Sequence, residues 1–153
     1  MTKRTRMILL LVVMLVTGGI ASVWLQDTIA AQSNEASLPE DVGDLSNATT
    51  VEVKDSTGTV VLKGHFVDSP EDDDDVERKA TLTGSGTSAK ATGEAEIEVS
   101  RNNNRLDQEV EVSVSNLAPA ATYTVFVDAK QLGTLQTNQN GKAEMELATA
   151  SVR

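Results

Sequence analysis

The sequence predicts an all-β fold: an antiparallel β-sandwich, Ig-like or jelly-roll-like, with about eight strands, behind an N-terminal hydrophobic leader helix. Three observations predict it. Apolar and polar residues alternate with a period of two along most of the chain after residue 48. Clusters of Gly, Asn, Asp and Pro interrupt that alternation at short intervals. No stretch after the leader sustains a period of 3.6.

The leader occupies residues 1–31. Lys3, Arg4 and Arg6 form a basic start, and Met7 to Val16 is a run of ten apolar residues. Small residues follow, with cleavage points after Ala21 and after Ala31. This is the anatomy of an export signal. The alternative is an uncleaved inner-membrane anchor over residues 7–25, 19 residues long, with Trp24 at its interfacial end. Thr17, Gly18, Gly19 and Ser22 weaken that helix. Either way the basic residues stay inside and the rest of the chain faces outward: periplasmic, cell-surface or extracellular. Residues 32–48, rich in Ser, Asn, Glu and Asp, predict a disordered linker. Asn47-Ala48-Thr49 at its end has the form of a glycosylation sequon, but the leader is of bacterial type and no glycan is expected. The sandwich domain is expected over 49–149, followed by a tail at 150–153.

Within that domain, Val51 and Val53 alternate with Glu52 and Lys54, and Asp55-Ser56-Thr57-Gly58 has turn chemistry, so 50–66 predicts a hairpin. A weaker strand is expected over 76–83, then a small polar loop over 83–90. Gly93 to Ser100 predicts a strand, turned at Arg101-Asn102-Asn103-Asn104. Leu106, Gln108, Val110, Val112 and Val114 share one face of the next. Pro119 breaks the chain before Tyr123, Val125 and Val127. Residues 132–137 and 142–147 predict a last hairpin around Asn138-Gln139-Asn140-Gly141.

The chain also repeats itself. Gly93-Glu94-Ala95-Glu96-Ile97-Glu98-Val99 returns as Gly141-Lys142-Ala143-Glu144-Met145-Glu146-Leu147. Each copy reads as a turn glycine, an inward apolar face and an outward glutamate face. The repeat predicts two related halves packed about a pseudo-twofold.

Composition excludes several functions. The net charge is −10. Residues 1–31 hold Lys3, Arg4, Arg6 and Asp27, so the remainder carries 10 basic and 22 acidic side chains, a net of −12. Such a body repels a phosphate backbone, so nucleic acid is not an expected partner. Membrane contact is expected only through the leader. There is no cysteine, which excludes disulfides, thiolate zinc sites and thiol nucleophiles. Beyond the leader the aromatic residues are Phe66, Tyr123 and Phe126, too few for a stacking platform.

The clearest candidate for chemistry is an acidic loop: Asp68, Glu71, Asp72, Asp73, Asp74 and Asp75. Hard oxygens in number suit a weak calcium site, although the alternate spacing and bend glycine of a calcium loop are missing. No other cofactor is expected. His65 stands alone and has no second histidine for a metal. Gly84-Ser85-Gly86 is a loop, with no strand-to-helix elbow around its serine. Glu96 and Glu98 read as a water-facing stripe rather than a glycosidase pair. No catalytic constellation emerges, so the expectation is a non-enzyme.

The runs Ala91-Thr92-Gly93-Glu94-Ala95-Glu96, Leu117-Ala118-Pro119-Ala120-Ala121-Thr122-Tyr123-Thr124-Val125-Phe126-Val127, Leu132-Gly133-Thr134-Leu135 and Asn140-Gly141-Lys142-Ala143-Glu144 resemble a group of uncharacterised exported bacterial β-sandwich proteins with repeated Gly-x-Ala-Glu strands. The resemblance covers about residues 80–147. It implies a fold and an exported location, and no catalytic residues. Chordin-type domains are a more distant likeness, but they carry a histidine-rich second half and here the only histidine is His65.

The function expected is therefore a binding or structural module at the cell envelope, exported or membrane-anchored, with an envelope or extracellular protein as partner. The alternatives are a calcium-dependent adhesion or matrix module using the acidic loop, and a secreted hydrolase.

Overall fold

A computed structural model of the chain describes residues 35–69, 75–102 and 105–150. The expected leader, Glu71 to Asp74 of the acidic loop and the last three residues lie outside them.

Every expected strand forms, because each places its apolar side chains on one face. The strands are β1 (Glu35–Ser37), β2 (Thr50–Lys54), β3 (Val60–His65), β4 (Val67–Ser69), β5 (Val76–Gly84), β6 (Thr92–Asn102), β7 (Arg105–Ser115), β8 (Thr122–Val127), β9 (Lys130–Gln136) and β10 (Ala143–Ala148). They form one sheet in the order β1-β10-β7-β6-β5-β3-β2-β8-β9, with β4 continuing beside β5 where β3 leaves off. The all-β expectation holds, and no α-helix occurs among the described residues. One pairing departs from the antiparallel expectation: β1 runs parallel to β10.

The sheet curls on itself. β9 and β10 stand apart on the hydrogen-bonded path, yet a Cβ placed on Gly133 of β9 would lie 3.1 Å from the Met145 sulfur of β10. The inside of the curl is the core. Val51, Val53, Leu62, Leu82, Ile97, Val110, Val112 and Val125 have no solvent exposure. Each contributes about 1.5–3 kcal/mol on burial. Two polar groups at the edge of the core are paired with backbone. The Tyr123 hydroxyl accepts the Ala118 N–H at 3.2 Å, and the Thr137 hydroxyl donates to the Ala118 carbonyl at 2.6 Å.

The β2–β3 hairpin is as expected. The Asp55 carboxylate accepts the backbone N–H groups of Thr57 and Thr59, and the Gly58 N–H reaches the Asp55 carbonyl at 2.9 Å. The last hairpin is not as expected. The tight turn closes, with Asn138 N–H on the Lys142 carbonyl at 2.8 Å. Past it the strands part: β9 pairs with β8 and β10 with β7. The turn is a bridge between remote parts of the sheet. Local turn chemistry fixed the reversal, and tertiary packing chose the partners.

The repeat is also arranged differently. Both copies flank the same strand, β7, and both run antiparallel to it. They are thus parallel to each other, related by a step across the sheet rather than a pseudo-twofold. Gly93 and Ala143 both face Val114, and Ala95 and Met145 both face Val112. The copies are therefore offset by two residues, which preserves the face each side chain occupies. Gly93 is not a turn residue either. It lies inside β6, where an added Cβ would meet the Ser113 carbonyl oxygen at 2.4 Å.

Residues 35–48 overturn the expectation of a disordered linker. β1 pairs with β10, and the chain then crosses the end of the curl, burying Leu38, Val42, Leu45 and Ala48. Gln108 holds it from below: its carbonyl accepts the Leu45 N–H at 2.7 Å and its amide donates to the Gly43 carbonyl at 2.9 Å. The Lys130 ammonium donates to the Val42 carbonyl at 2.6 Å, and Arg101 pairs with Asp44. Scattered apolar residues suffice here because the sheet supplies the other half of the core.

Two residues of the β8–β9 turn, Asp128 and Ala129, have φ of 46° and 66°. A two-residue hairpin of this kind needs left-handed backbone at both positions. Asp128 offsets the strain by accepting hydrogen bonds from Thr49 and Thr50. Ala129 has no comparable contact among the described residues. Ala129→Gly is expected to stabilise the protein by about 0.5–1 kcal/mol, read as an increase in the urea midpoint.

Candidate functional site

The period of two that builds the core also builds the outer face of β5, β6, β7 and β10. While Ala95, Ile97, Val110, Val112, Met145 and Leu147 point inward, the residues between them point to water. The register lines them up across strands. One row runs Glu77, Glu98, Glu109; the next runs Lys79, Glu96, Glu111, Glu146; the third runs Thr81, Glu94, Ser113, Glu144. Eight glutamates thus share one surface, and Lys79 is the one cation within these rows.

Carboxylates directly opposite each other destabilise a sheet. Glu96 faces Glu111, Glu98 faces Glu109, and Glu111 faces Glu146. Lys79 relieves one corner, pairing with Glu77 and reaching Glu96 at 3.5 Å. Its own pKa rises, chiefly through the hydrogen bond to Glu77. Glu77 is the most enclosed of the set, with 8% of its surface exposed.

The crowding shows in protonation. Partial burial raises the pKa of Glu109, and the charges of Glu146 and Glu98 add to the rise. Burial raises Glu111, reinforced by Glu144. Burial raises Glu96, reinforced by a hydrogen bond with Glu77 and opposed by Lys79. Elsewhere carboxylates go the other way. Hydrogen bonds from Ser46 lower Asp44, Lys63 and Lys54 lower Glu52, and the Thr57 hydroxyl lowers Asp55. At Asp128 burial pushes upward, but the bonds from Thr49 and Thr50 outweigh it.

A pH prediction follows from these directions. A carboxyl whose folded pKa exceeds its unfolded value binds more protons when folded, so stability rises as pH falls through the folded pKa. For Glu96, Glu109 and Glu111 that window lies above the ordinary value of 4.5. The lowered groups act below it: their contribution is lost only as pH falls beneath 4.5 for Glu52 and 3.8 for the aspartates. The melting temperature is therefore expected to rise from about pH 7 to about pH 5 and fall at lower pH. Glu111→Gln is expected to raise it at neutral pH and flatten the rise. A melting temperature that falls steadily from neutral pH downward contradicts this.

The outer face is not flat. A groove of about 480 Å³ lies toward its Asp75 end, lined by Asp75, Glu77, Glu98, Arg105, Asp107 and Glu109. The Arg105 guanidinium pairs with Asp107 at 2.8 Å. A smaller hollow of about 60 Å³ opens between Glu96, Glu98, Glu109 and Glu111. These hollows offer negative charge and hydrogen-bond acceptors, beside Val76, Val99 and Ala148 in the larger one. They suit ammonium and guanidinium groups better than neutral ligands.

Two carboxylates of the candidate calcium site, Asp68 and Asp75, lie among the described residues. Asp68 sits on β4 and pairs with Arg78 at 3.0 Å. Asp75 precedes β5 and lines the groove. Glu71, Asp72, Asp73 and Asp74 lie outside the described residues, among which no group of three or more His, Asp or Glu is placed to hold a metal. His65 is exposed at the end of β3, opposite Thr50. The Ser85 hydroxyl donates to the Val60 carbonyl at 2.8 Å, a structural bond. Glu96 and Glu98 are on the water-facing side of β6. The aligned rows were missed from sequence. Their signal is the Glu-x-Glu spacing shared by 94–98, 109–111 and 144–146, which becomes a surface only once the strand order is known.

No protein-family model, curated protein or solved structure matches this chain.

Proposed function

We propose that this chain is an exported or membrane-anchored bacterial β-sandwich module with a binding or structural role at the cell envelope, and that its glutamate face is the contact surface. One observation carries the reading: eight glutamates aligned in rows across four strands, six of them directly opposite another glutamate at a cost to the fold's stability. Sites that break a stability rule are where function is expected. Such a face selects a partner rich in lysine or arginine, or one bridged by cations, and repels acidic polymers. Two parts of the curled sheet facing each other across the core favour the sandwich description. The basic start and apolar run of residues 1–16 favour export. No helix among the described residues is long and apolar enough to cross a membrane, and the candidate anchor at 7–25 lies outside them.

The test is capture from envelope extracts with the full chain as bait, beside a variant in which Glu96, Glu98, Glu109 and Glu111 are all glutamine. Partners bound in low salt by the native chain, released by high salt and missing from the variant are the expected result. Equal capture by the variant removes the glutamate face from the function. Adding chelator to the capture separates direct contact from cation-bridged contact.

A further inference from the structure

The turn between β9 and β10 holds an asparagine followed by glycine, Asn140-Gly141. Asparagine is thermally labile, and most so before glycine, where no side chain shields the next backbone nitrogen. As the Gly141 nitrogen loses its proton it attacks Cγ of Asn140. The N–Cγ bond forms, the Cγ–Nδ2 bond breaks and ammonia leaves with the proton. Water then opens the resulting succinimide at either carbonyl, giving aspartate or isoaspartate. No oxidant or reductant is needed.

The fold obstructs this reaction in a specific way. Gly141 N–H donates to the Asn138 carbonyl at 3.0 Å. The Asn138 side-chain oxygen accepts the N–H of Asn140 at 2.8 Å and of Lys142 at 3.1 Å. The Gly141 carbonyl accepts the Leu117 N–H at 3.1 Å. The attacking nitrogen is thus engaged, and the backbone on both sides of it is fixed. Gly141 itself is buried, while Asn140 is exposed to water. Nitrogen and target carbon belong to adjacent residues, and the closed turn fixes the backbone that joins them.

We propose that Asn140-Gly141 is a deamidation site gated by folding: shut while the turn is closed, open when the chain unfolds, and unable to close again once isoaspartate has formed. The last part follows from the lack of room at Gly141. A Cβ there would lie 2.1 Å from the Leu117 carbonyl oxygen. Isoaspartate inserts a methylene into the main chain directly before this residue. Gly141 must then move against Leu117, or the Asn138–Lys142 closure must break. The site would retire chains that have spent time unfolded.

The full chain is incubated at mildly alkaline pH, folded or in urea, and isoaspartate at residue 140 is quantified by peptide mapping. Formation is expected to be at least about tenfold slower in the folded chain, since the turn must open first. Asn138→Ala removes the side-chain bonds to Asn140 and Lys142 and leaves the backbone bond to Gly141; its folded form, verified by a cooperative melt, is expected to react faster than the native folded chain and slower than the chain in urea. Equal rates for the native chain folded and in urea overturn the proposal. So does a folded Asn138→Ala chain that reacts no faster than the native one. Recovery of the native melting temperature by isoaspartate-containing chains overturns the irreversibility.

Discussion

Gly141→Ala is expected to destabilise the protein by about 3 kcal/mol or more, because two independent penalties coincide at that residue. Its φ of +69° disfavours any L side chain. Its Cβ would also stand 2.1 Å from the Leu117 carbonyl oxygen, backbone that has no room to yield. Gly58→Ala separates the two effects. Gly58 has φ of +84° and nothing within 4 Å of a built Cβ, so its substitution is expected to cost only about 1 kcal/mol. Urea denaturation of both variants gives the comparison. Similar losses would mean that contact with Leu117 is unimportant and that backbone conformation alone explains the glycine.

Leu45→Ala is expected to cost about 2–4 kcal/mol, the usual range for emptying a buried leucine site. Leu45 is 4% exposed, and its backbone N–H is held by Gln108. A residue in a solvated tether would cost less than about 0.5 kcal/mol. The two descriptions of residues 35–48 thus differ by a margin that one thermal melt resolves. Gln108→Ala is expected to weaken the same segment, because it strips the partners from Leu45 and Gly43 at once. A melting temperature unchanged by Leu45→Ala would restore the tether.

Strand positions were legible because alternation is a local property. Val51 and Val53, or Val110, Val112 and Val114, declare their inner face without reference to any neighbour. The Asp55–Gly58 turn was legible for the same reason, since donor and acceptor lie within four residues. What local pattern could not show was who pairs with whom. Asn138 to Lys142 forms the expected turn, but the strands on either side find remote partners. Residues 38–48 lack periodicity because they cross the end of the curl rather than run in its sheet. A polar residue among apolar ones did mark their place: Gln108, on the inward face of β7, needs something above it to satisfy its amide. Of the candidate site, the glutamates could be read one strand at a time. Their assembly into one surface depends on β6, β7 and β10 being neighbours.

The shared use of β7 has a consequence for how the chain assembles. Two strands of nearly the same sequence can each dock along β7, and moving either by two residues keeps every side chain on its proper face. Such symmetry invites misassembly. Proximity in the chain breaks it, since β6 and β7 are adjacent in sequence and their pairing closes the shorter span, whereas β8 and β9 intervene between β7 and β10. Gly93 then sets the alignment, its bare Cα fitting where the Ser113 carbonyl comes too near for any side chain. The later strand inherits the one remaining berth. The likeness of the two segments is therefore harmless only because they arrive in order, and the glycine of the first decides where the second can lie.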